Sequence, residues 1–385
     1  MAATLVLGSA VKSSSRYLMY RVLGHLLLML SAVKLVAMAV SILYNESSFW
    51  VFLGSALFTA ALGYTLVHKG RDAKDIKHRQ LFLLTTLSWL SLCVFSAIPL
   101  WLIVPNCTLT DAVFETVSAV TTTGSTVLSG LDTMPKGILF WRAVLNWMGG
   151  IGIIVMAIAI LPALKIGGMR LFKTENSDTS DKILPRSSTL SAAIGFVYLA
   201  LTFCTMTAYY LAGMTGFDAV THAMTTVATG GFANYDSSFG FYKDSPQIFW
   251  LSSFFMMLAA MPFVLFVSFA KGDKTSLWRD PQVRAFVAIV LFCSVLLTVY
   301  QVVHNDRAVF DALTHSLFNV VSIITTCGYA SEDYTVWGNM AIMLFFYLTF
   351  AGACWLFLPI PQKCKISDRL AQKHTVNWSL YRRIP

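Results

Sequence analysis

The chain has 385 residues, of which 56 % are hydrophobic and 12 % charged; a soluble domain carries about a quarter charged residues, so the composition excludes a soluble or disordered protein. The net charge of +9 gathers in a few loops and the two ends, so it reports orientation in a bilayer and not nucleic-acid binding. The seven cysteines (Cys93, Cys107, Cys204, Cys293, Cys327, Cys354 and Cys364) show no C-x-x-C pairing and lie mostly inside apolar segments, which argues against a zinc site or a disulfide framework.

Tyr17–Tyr44 and Ser47–Val67 read as a helical hairpin turning at Asn45-Glu46. Together with a basic linker they form an N-terminal segment, 1–80. The N-terminus is basic but lacks a compact apolar stretch ending in a small-residue cleavage site, so it reads as having no removable signal peptide. Lys34 interrupts the first span. A charge there faces protein or water, and packing against a neighbouring helix outweighs a transport role. Lys69, Arg71, Lys74, Lys77 and Arg79 mark a cytoplasmic loop.

A first unit, 81–165, contains a span Leu81–Val104, a short helix Asp111–Val120, an uncharged run Thr121–Thr126 and a return span Gly137–Leu164. Arg142 stands near the outer end of that span, where it is expected to reach interfacial water. Trp147-Met-Gly149-Gly150-Ile-Gly152 offers a small-residue face for close approach to another helix or to the loop itself. Lys165, Arg170, Lys173, Lys182 and Arg186 form a second basic connection. A second unit, 187–271, has a span from Ser187 to Phe217, a short helix from Asp218, a loop at 228–232 and a return span Ser245–Ala270. Lys271, Lys274, Arg279 and Arg284 form a third basic connection. A third unit, 284–358, has a span Ala285–Val303, a short helix ending near Ile324, a loop at 325–329 and a return span from near Tyr334. A polar, basic stretch, 359–385, follows.

The three loops share a pattern. Thr121-Thr122-Thr123-Gly124, Ala228-Thr229-Gly230-Gly231 and Thr325-Thr326-Cys327-Gly328 recur at intervals of roughly a hundred residues, the mark of a repeated structural unit. Each is preceded by about three turns of amphipathic helix, too short to cross a hydrocarbon core of roughly 30 Å. A half-length helix ending in a Thr/Gly loop between two full spans outlines a pore loop, whose carbonyls replace an ion's hydration shell. One copy alone would read as an ordinary turn; three in register read as a filter. All twelve residues are therefore candidate cation ligands.

At one shared offset before each glycine stand Glu115, His222 and Asn319. For these residues and His315, hydrogen bonds that brace a loop are a cheaper explanation than an active site. No HExxH motif, nucleophile elbow or carboxylate pair at metal spacing occurs, so the sequence does not read as an enzyme. Asp111, Glu115, Asp132, Asp218, Asp236, Asp306, Asp311, Glu332 and Asp333 are expected to make the outer segments acidic, which concentrates cations. The fold class expected is an all-α integral membrane protein, a two-helix hairpin followed by three helix–pore loop–helix units.

The phrases Ser118-Ala-Val-Thr-Thr-Thr-Gly-Ser-Thr-Val-Leu-Ser-Gly-Leu-Asp132, Ile138-Leu-Phe-Trp-Arg142, Trp147-Met-Gly-Gly-Ile-Gly-Ile-Ile-Val-Met156, Ile160-Leu-Pro-Ala-Leu-Lys-Ile-Gly-Gly-Met-Arg170 and Trp278-Arg-Asp-Pro281 resemble the bacterial Trk-type potassium uptake family. The closer likeness is to the TrkH/TrkG membrane subunit of the Trk/Ktr/HKT superfamily, over about residues 17 to 354. The resemblance implies four membrane–pore–membrane units around one potassium (K+) pathway, with no organic cofactor in this chain. It also implies a homodimer, and a cytoplasmic ring of nucleotide-binding, TrkA-like regulatory subunits. The location implied is the bacterial cytoplasmic (inner) membrane, with multiple passes and both termini inside. The resembled pattern continues past Phe350-Ala-Gly352-Ala-Cys354 into an intramembrane break that gates the pathway, which makes Gly352 a candidate gate residue. Here the sequence departs from it within the third repeat, to Trp355-Leu-Phe-Leu-Pro-Ile-Pro-Gln, and no fourth filter run follows. The expectation is a potassium uptake subunit that depends on a fourth unit from elsewhere. The alternative is a non-transporting truncated product, or an accessory subunit that assembles with an intact homologue.

Overall fold

The structure is a computed structural model that describes residues 2–71, 78–160 and 187–357, and among these the regular secondary structure is all helical. The basic connection from Lys165 to Arg186, the stretch 359–385 and residues 72–77 of the first linker lie outside the described residues. Helices α1 (Ala2–Leu43) and α2 (Phe49–Lys69) form the hairpin. It turns at Asn45, whose φ of 55° is a conformation asparagine adopts more readily than most side chains.

The first unit comprises α3 (His78–Ile103), the short α4 (Leu109–Val120) and α5 (Lys136–Ile160). The second comprises α6 (Ser187–Leu211), the short α7 (Gly216–Val227), and a return path of α8 (Pro246–Ala259) and α9 (Phe263–Ala270). After a single turn, α10 (Ser276–Arg279), the third unit has α11 (Pro281–His304), α12 (Val309–Ile324) and α13 (Asn339–Phe357). Five helices, counted from Tyr17 in α1 and Leu83 in α3, are long and apolar enough to cross a membrane among the described residues.

The expected single return span Ser245–Ala270 is instead two helices bent by 89° at a short break. The break holds Pro262, which offers no N–H to the carbonyl of Leu258 and whose ring would collide with it in a straight helix. The break that the resembled pattern places in the third return helix lies past the point where this sequence departs from it, and α13 runs unbroken through Gly352 to Phe357.

Local sequence explains the helix starts. Thr108 caps α4, and Asp111 returns the bond, closing a capping box. Thr215 caps α7 through the N–H of Asp218. Asp280 accepts the N–H groups of Gln282 and Val283 at the start of α11, with Pro281 in the first turn.

Lys34 packs against neighbouring helices. It is 0 % exposed, and its ammonium donates to Thr59 Oγ1 at 2.8 Å, the Ser55 carbonyl at 3.4 Å and the Phe95 carbonyl at 2.9 Å. Phe95 stands one turn before Pro99, which lies inside α3 and has no N–H to offer that carbonyl. The lysine takes the vacancy, and Trp141 Nε1 takes the next carbonyl, that of Ser96, at 3.0 Å.

Packing runs around the molecule in chain order. Besides contacting its own unit, α5 lies against α7, and α8 lies against α12. The first two return paths thus each support the short helix of the next unit. One apolar core joins the hairpin, the first unit and Phe232; a second joins the second and third units.

Candidate filter site

The short helices α4, α7 and α12 end alike. The N–H of Thr122 bonds the carbonyl of Ala119 and that of Thr123 bonds Ser118. The same two bonds run from Thr229 to Thr226 and Gly230 to Thr225, and again from Thr326 to Ile323 and Cys327 to Ser322. This is the Schellman closure, which needs a left-handed residue just past the helix. That residue is Thr122, Thr229 or Thr326, with φ of 56°, 49° and 59°.

A β-branched residue in that conformation is an outlier that costs on the order of 1–3 kcal/mol, and such strain collects at functional sites. Two residues on, Gly124, Gly231 and Gly328 have φ of 78°, 71° and 91°. All three loops therefore alternate the sign of φ in the same register.

Consecutive loops abut. A Cβ built on Gly124 would collide with the Gly230 carbonyl oxygen, and one built on Gly231 with that of Cys327. Gly328 has nothing within 4 Å of the corresponding position among the described residues, so this flank of the third loop is open. The Gly230 carbonyl also accepts from Asn146 Nδ2 at 3.2 Å.

The remaining predicted site residues fall as follows. Thr121, Ala228 and Thr325 cap the short helices at their C-terminal ends. Thr121 and Thr123 are exposed, whereas Ala228, Gly230, Thr325 and Cys327 are buried. Gly352 lies where a Cβ would strike the Ile324 carbonyl at the end of α12, and Gly149 meets the Val120 carbonyl at the end of α4 in the same way. Close packing of a return helix on the foot of its own short helix thus accounts for both glycines. Gly150 approaches Ala228, so part of the small-residue face of α5 meets the second loop.

Two electrostatic expectations change. Arg142 does not reach interfacial water: it is 2 % exposed and its Nε donates to Glu115 Oε1 at 2.8 Å. Its Nη1 donates to the Ala233 carbonyl at 3.1 Å, and its guanidinium lies 4.3 Å from the centre of the Phe232 ring. A buried carboxylate on the preceding short helix, α4, captures it before it can snorkel. For the same reason Glu115 leaves the acidic outer set. Asp218 leaves it too, because it is buried and bound by Asn234 Nδ2 at 2.7 Å and by the Tyr235 hydroxyl at 2.9 Å. Asp132, Asp236, Asp306, Asp311 and Asp333 remain exposed, and Asp111 and Glu332 are half-buried.

Sequence reasoning missed Asn146, and it marked the runs that hold Thr126 and Tyr329 without giving either residue a role of its own. The Tyr329 hydroxyl reaches across to Thr225 Oγ1 of the second unit at 2.5 Å. An aromatic residue directly after the loop glycine, Phe232 in the second loop and Tyr329 in the third, was the available signal.

Residues 48–356 match the family described as TrkH, cation transport protein. The Trk system potassium uptake protein TrkI of Halomonas elongata is 47 % identical over 335 residues, covering 87 % of this chain and 68 % of the relative. The Trk system potassium uptake protein TrkH of Vibrio parahaemolyticus is 38 % identical over 346 residues, covering 87 % of this chain and 70 % of the relative. The crystal structure of the potassium transporter TrkH from Vibrio parahaemolyticus superposes with a TM-score of 0.78 at 34 % identity, covering 88 % of this chain and 71 % of that one.

Proposed function

The chain belongs to the TrkH family of cation transport proteins, a multi-pass membrane family, and on that premise we propose that it forms part of a potassium uptake pathway whose filter is lined by its three Thr/Gly loops. The observation that carries this reading is the threefold recurrence of one strained backbone, with threonine and then glycine at positive φ. The helices supply a second support. Each of α4, α7 and α12 points its C-terminal end at its loop, and the partial negative charge there favours a cation over an anion.

The open flank beside Gly328 supports a fourth unit supplied from elsewhere as the element that closes the ring. The twelve loop residues are the proposed ligand set, and Gly352 is proposed as part of the region beneath it. The basic stretches at Lys69–Arg71 and Lys271–Arg284 support a cytoplasmic side, and the exposed acids opposite them an outer side. A homodimer in the bacterial inner membrane, governed by a nucleotide-binding regulatory subunit, completes the proposal on the strength of the family alone.

The glycines test it. In a potassium-uptake-deficient bacterium expressing this chain with whatever partner restores growth, rubidium uptake is measured for Gly124→Ala, Gly231→Ala and Gly328→Ala. The first two add a collision to a backbone cost of about 1–2 kcal/mol for a left-handed alanine, and loss of uptake is expected. Gly328→Ala carries the backbone cost alone and is expected to keep a measurable fraction. Equal, undiminished uptake in all three would remove the filter assignment.

A further inference from the structure

In each unit a side chain on the short helix reaches over its own loop to accept one backbone N–H. Glu115 Oε2 accepts from Val127 at 3.2 Å, His222 Nε2 from Asn234 at 3.4 Å and Asn319 Oδ1 from Ser331 at 3.3 Å. The acceptors stand at one offset before Gly124, Gly231 and Gly328, and the donors at one offset after them. All three acceptor residues are 0 % exposed. A carboxylate, an imidazole and an amide share little beyond an acceptor atom at the end of a side chain. What unites them is the donor: a backbone N–H where the loop leaves the filter, which must be paired once it is away from water.

Each acceptor is itself held. Glu115 is bound by Arg142 Nε at 2.8 Å and by Thr126 Oγ1 at 2.9 Å. His222 has Nδ1 2.9 Å from the Asp218 carbonyl, which places its proton on Nδ1 and leaves Nε2 free to accept. Asn319 Nδ2 donates to the His315 carbonyl at 2.9 Å and to Ser331 Oγ at 2.7 Å, which fixes its Oδ1 toward the loop.

We propose that Glu115, His222 and Asn319 are positioning residues of the filter, each fixing the outer limb of its loop through this single hydrogen bond. They touch no ion. Their effect is on the angle at which the loop presents its carbonyls, the quantity on which discrimination between potassium and sodium depends. The proposal rests on the filter reading above.

The test uses the purified full chain, together with the partner that restores uptake, in detergent, with the thermal unfolding midpoint followed as potassium or sodium replaces choline at constant ionic strength. His222→Gln and Asn319→Asp keep an acceptor; His222→Leu and Asn319→Leu do not. Wild type is expected to gain stability at lower concentrations of potassium than of sodium. The leucine variants are expected to need at least about tenfold more potassium for the same gain, and the acceptor-keeping variants to stay within about threefold of wild type. Folded leucine variants with an unchanged preference for potassium overturn the proposal. A wild type that responds alike to both ions overturns the filter reading instead.

Hydrogen exchange on the wild type decides the bracing independently, including the case in which the leucine variants do not fold. The amides of Val127, Asn234 and Ser331 are expected to exchange at least about tenfold more slowly than unbonded amides of the same loops. Exchange at the same rate in all three units overturns the brace.

Discussion

Arg142 and Glu115 meet with both side chains out of water, at 2 % and 0 % exposed. Losing one partner of such a pair costs more than losing the pair, because the survivor keeps its desolvation penalty without compensation. Arg142→Leu is expected to destabilise the chain by about 3–5 kcal/mol. Adding Glu115→Gln, which removes the stranded charge and keeps an acceptor for Val127, is expected to recover a good part of that loss. Denaturant unfolding of both variants in one detergent checks the order, and a double variant no more stable than Arg142→Leu would sink this account. The offset of Glu115 from Gly124 was legible in the sequence because His222 and Asn319 share it. Arg142 was not: its partner sits on another helix, and no spacing rule connects them.

At the level of single helices, two prolines show what a sequence can and cannot say about a bend. Pro99 lies inside α3, which runs unbroken from His78 to Ile103. Pro262 lies where the return path of the second unit turns by 89°. The difference at Pro99 is compensation: the carbonyl it leaves unpaired, that of Phe95, is taken by Lys34 at 2.9 Å. Apolar runs made the spans legible, and the Thr/Gly pattern made the short helices legible. The bend stayed hidden because Ser245–Ala270 is uncharged throughout and a proline alone does not decide between a kink and a break. Lys34 and Pro99 should therefore be coupled. Lys34→Met alone leaves the Phe95 carbonyl unpaired, at a cost of about 1–3 kcal/mol. In a Pro99→Ala background the new N–H closes onto that carbonyl, and the same lysine change is expected to cost about 1 kcal/mol less. Additive effects across the four proteins of that cycle would refute the coupling.

Across the whole molecule, two apolar cores meet along the line where the first and second loops touch. The hairpin and first unit make one core, and the second and third units make the other. Few polar contacts join them, and they are specific. Arg142 bonds the Ala233 carbonyl, Asn146 bonds the Gly230 carbonyl, Trp147 Nε1 donates to Thr202 Oγ1 while its carbonyl accepts from the Tyr198 hydroxyl, and Asp236 accepts the N–H groups of Gly130 and Leu131 at 2.8 and 3.1 Å. None of these was legible in the sequence, since each ties residues from different units with no common motif. Asp236 is the most separable of these because it is exposed. If the halves unfold as one body, that body depends on such joints, and weakening one should let them part. Asp236→Ala removes two hydrogen bonds to a charged group at an exposed site, an expected loss of about 1 kcal/mol. Exchange at the amides of Gly130 and Leu131 should quicken first. The unfolding curve should then broaden or split, with tryptophan signals from Trp141 and Trp337, one in each core, no longer coincident. Coincident transitions in the variant, at an unchanged midpoint, would mean that apolar contact between the cores couples them without help from this joint.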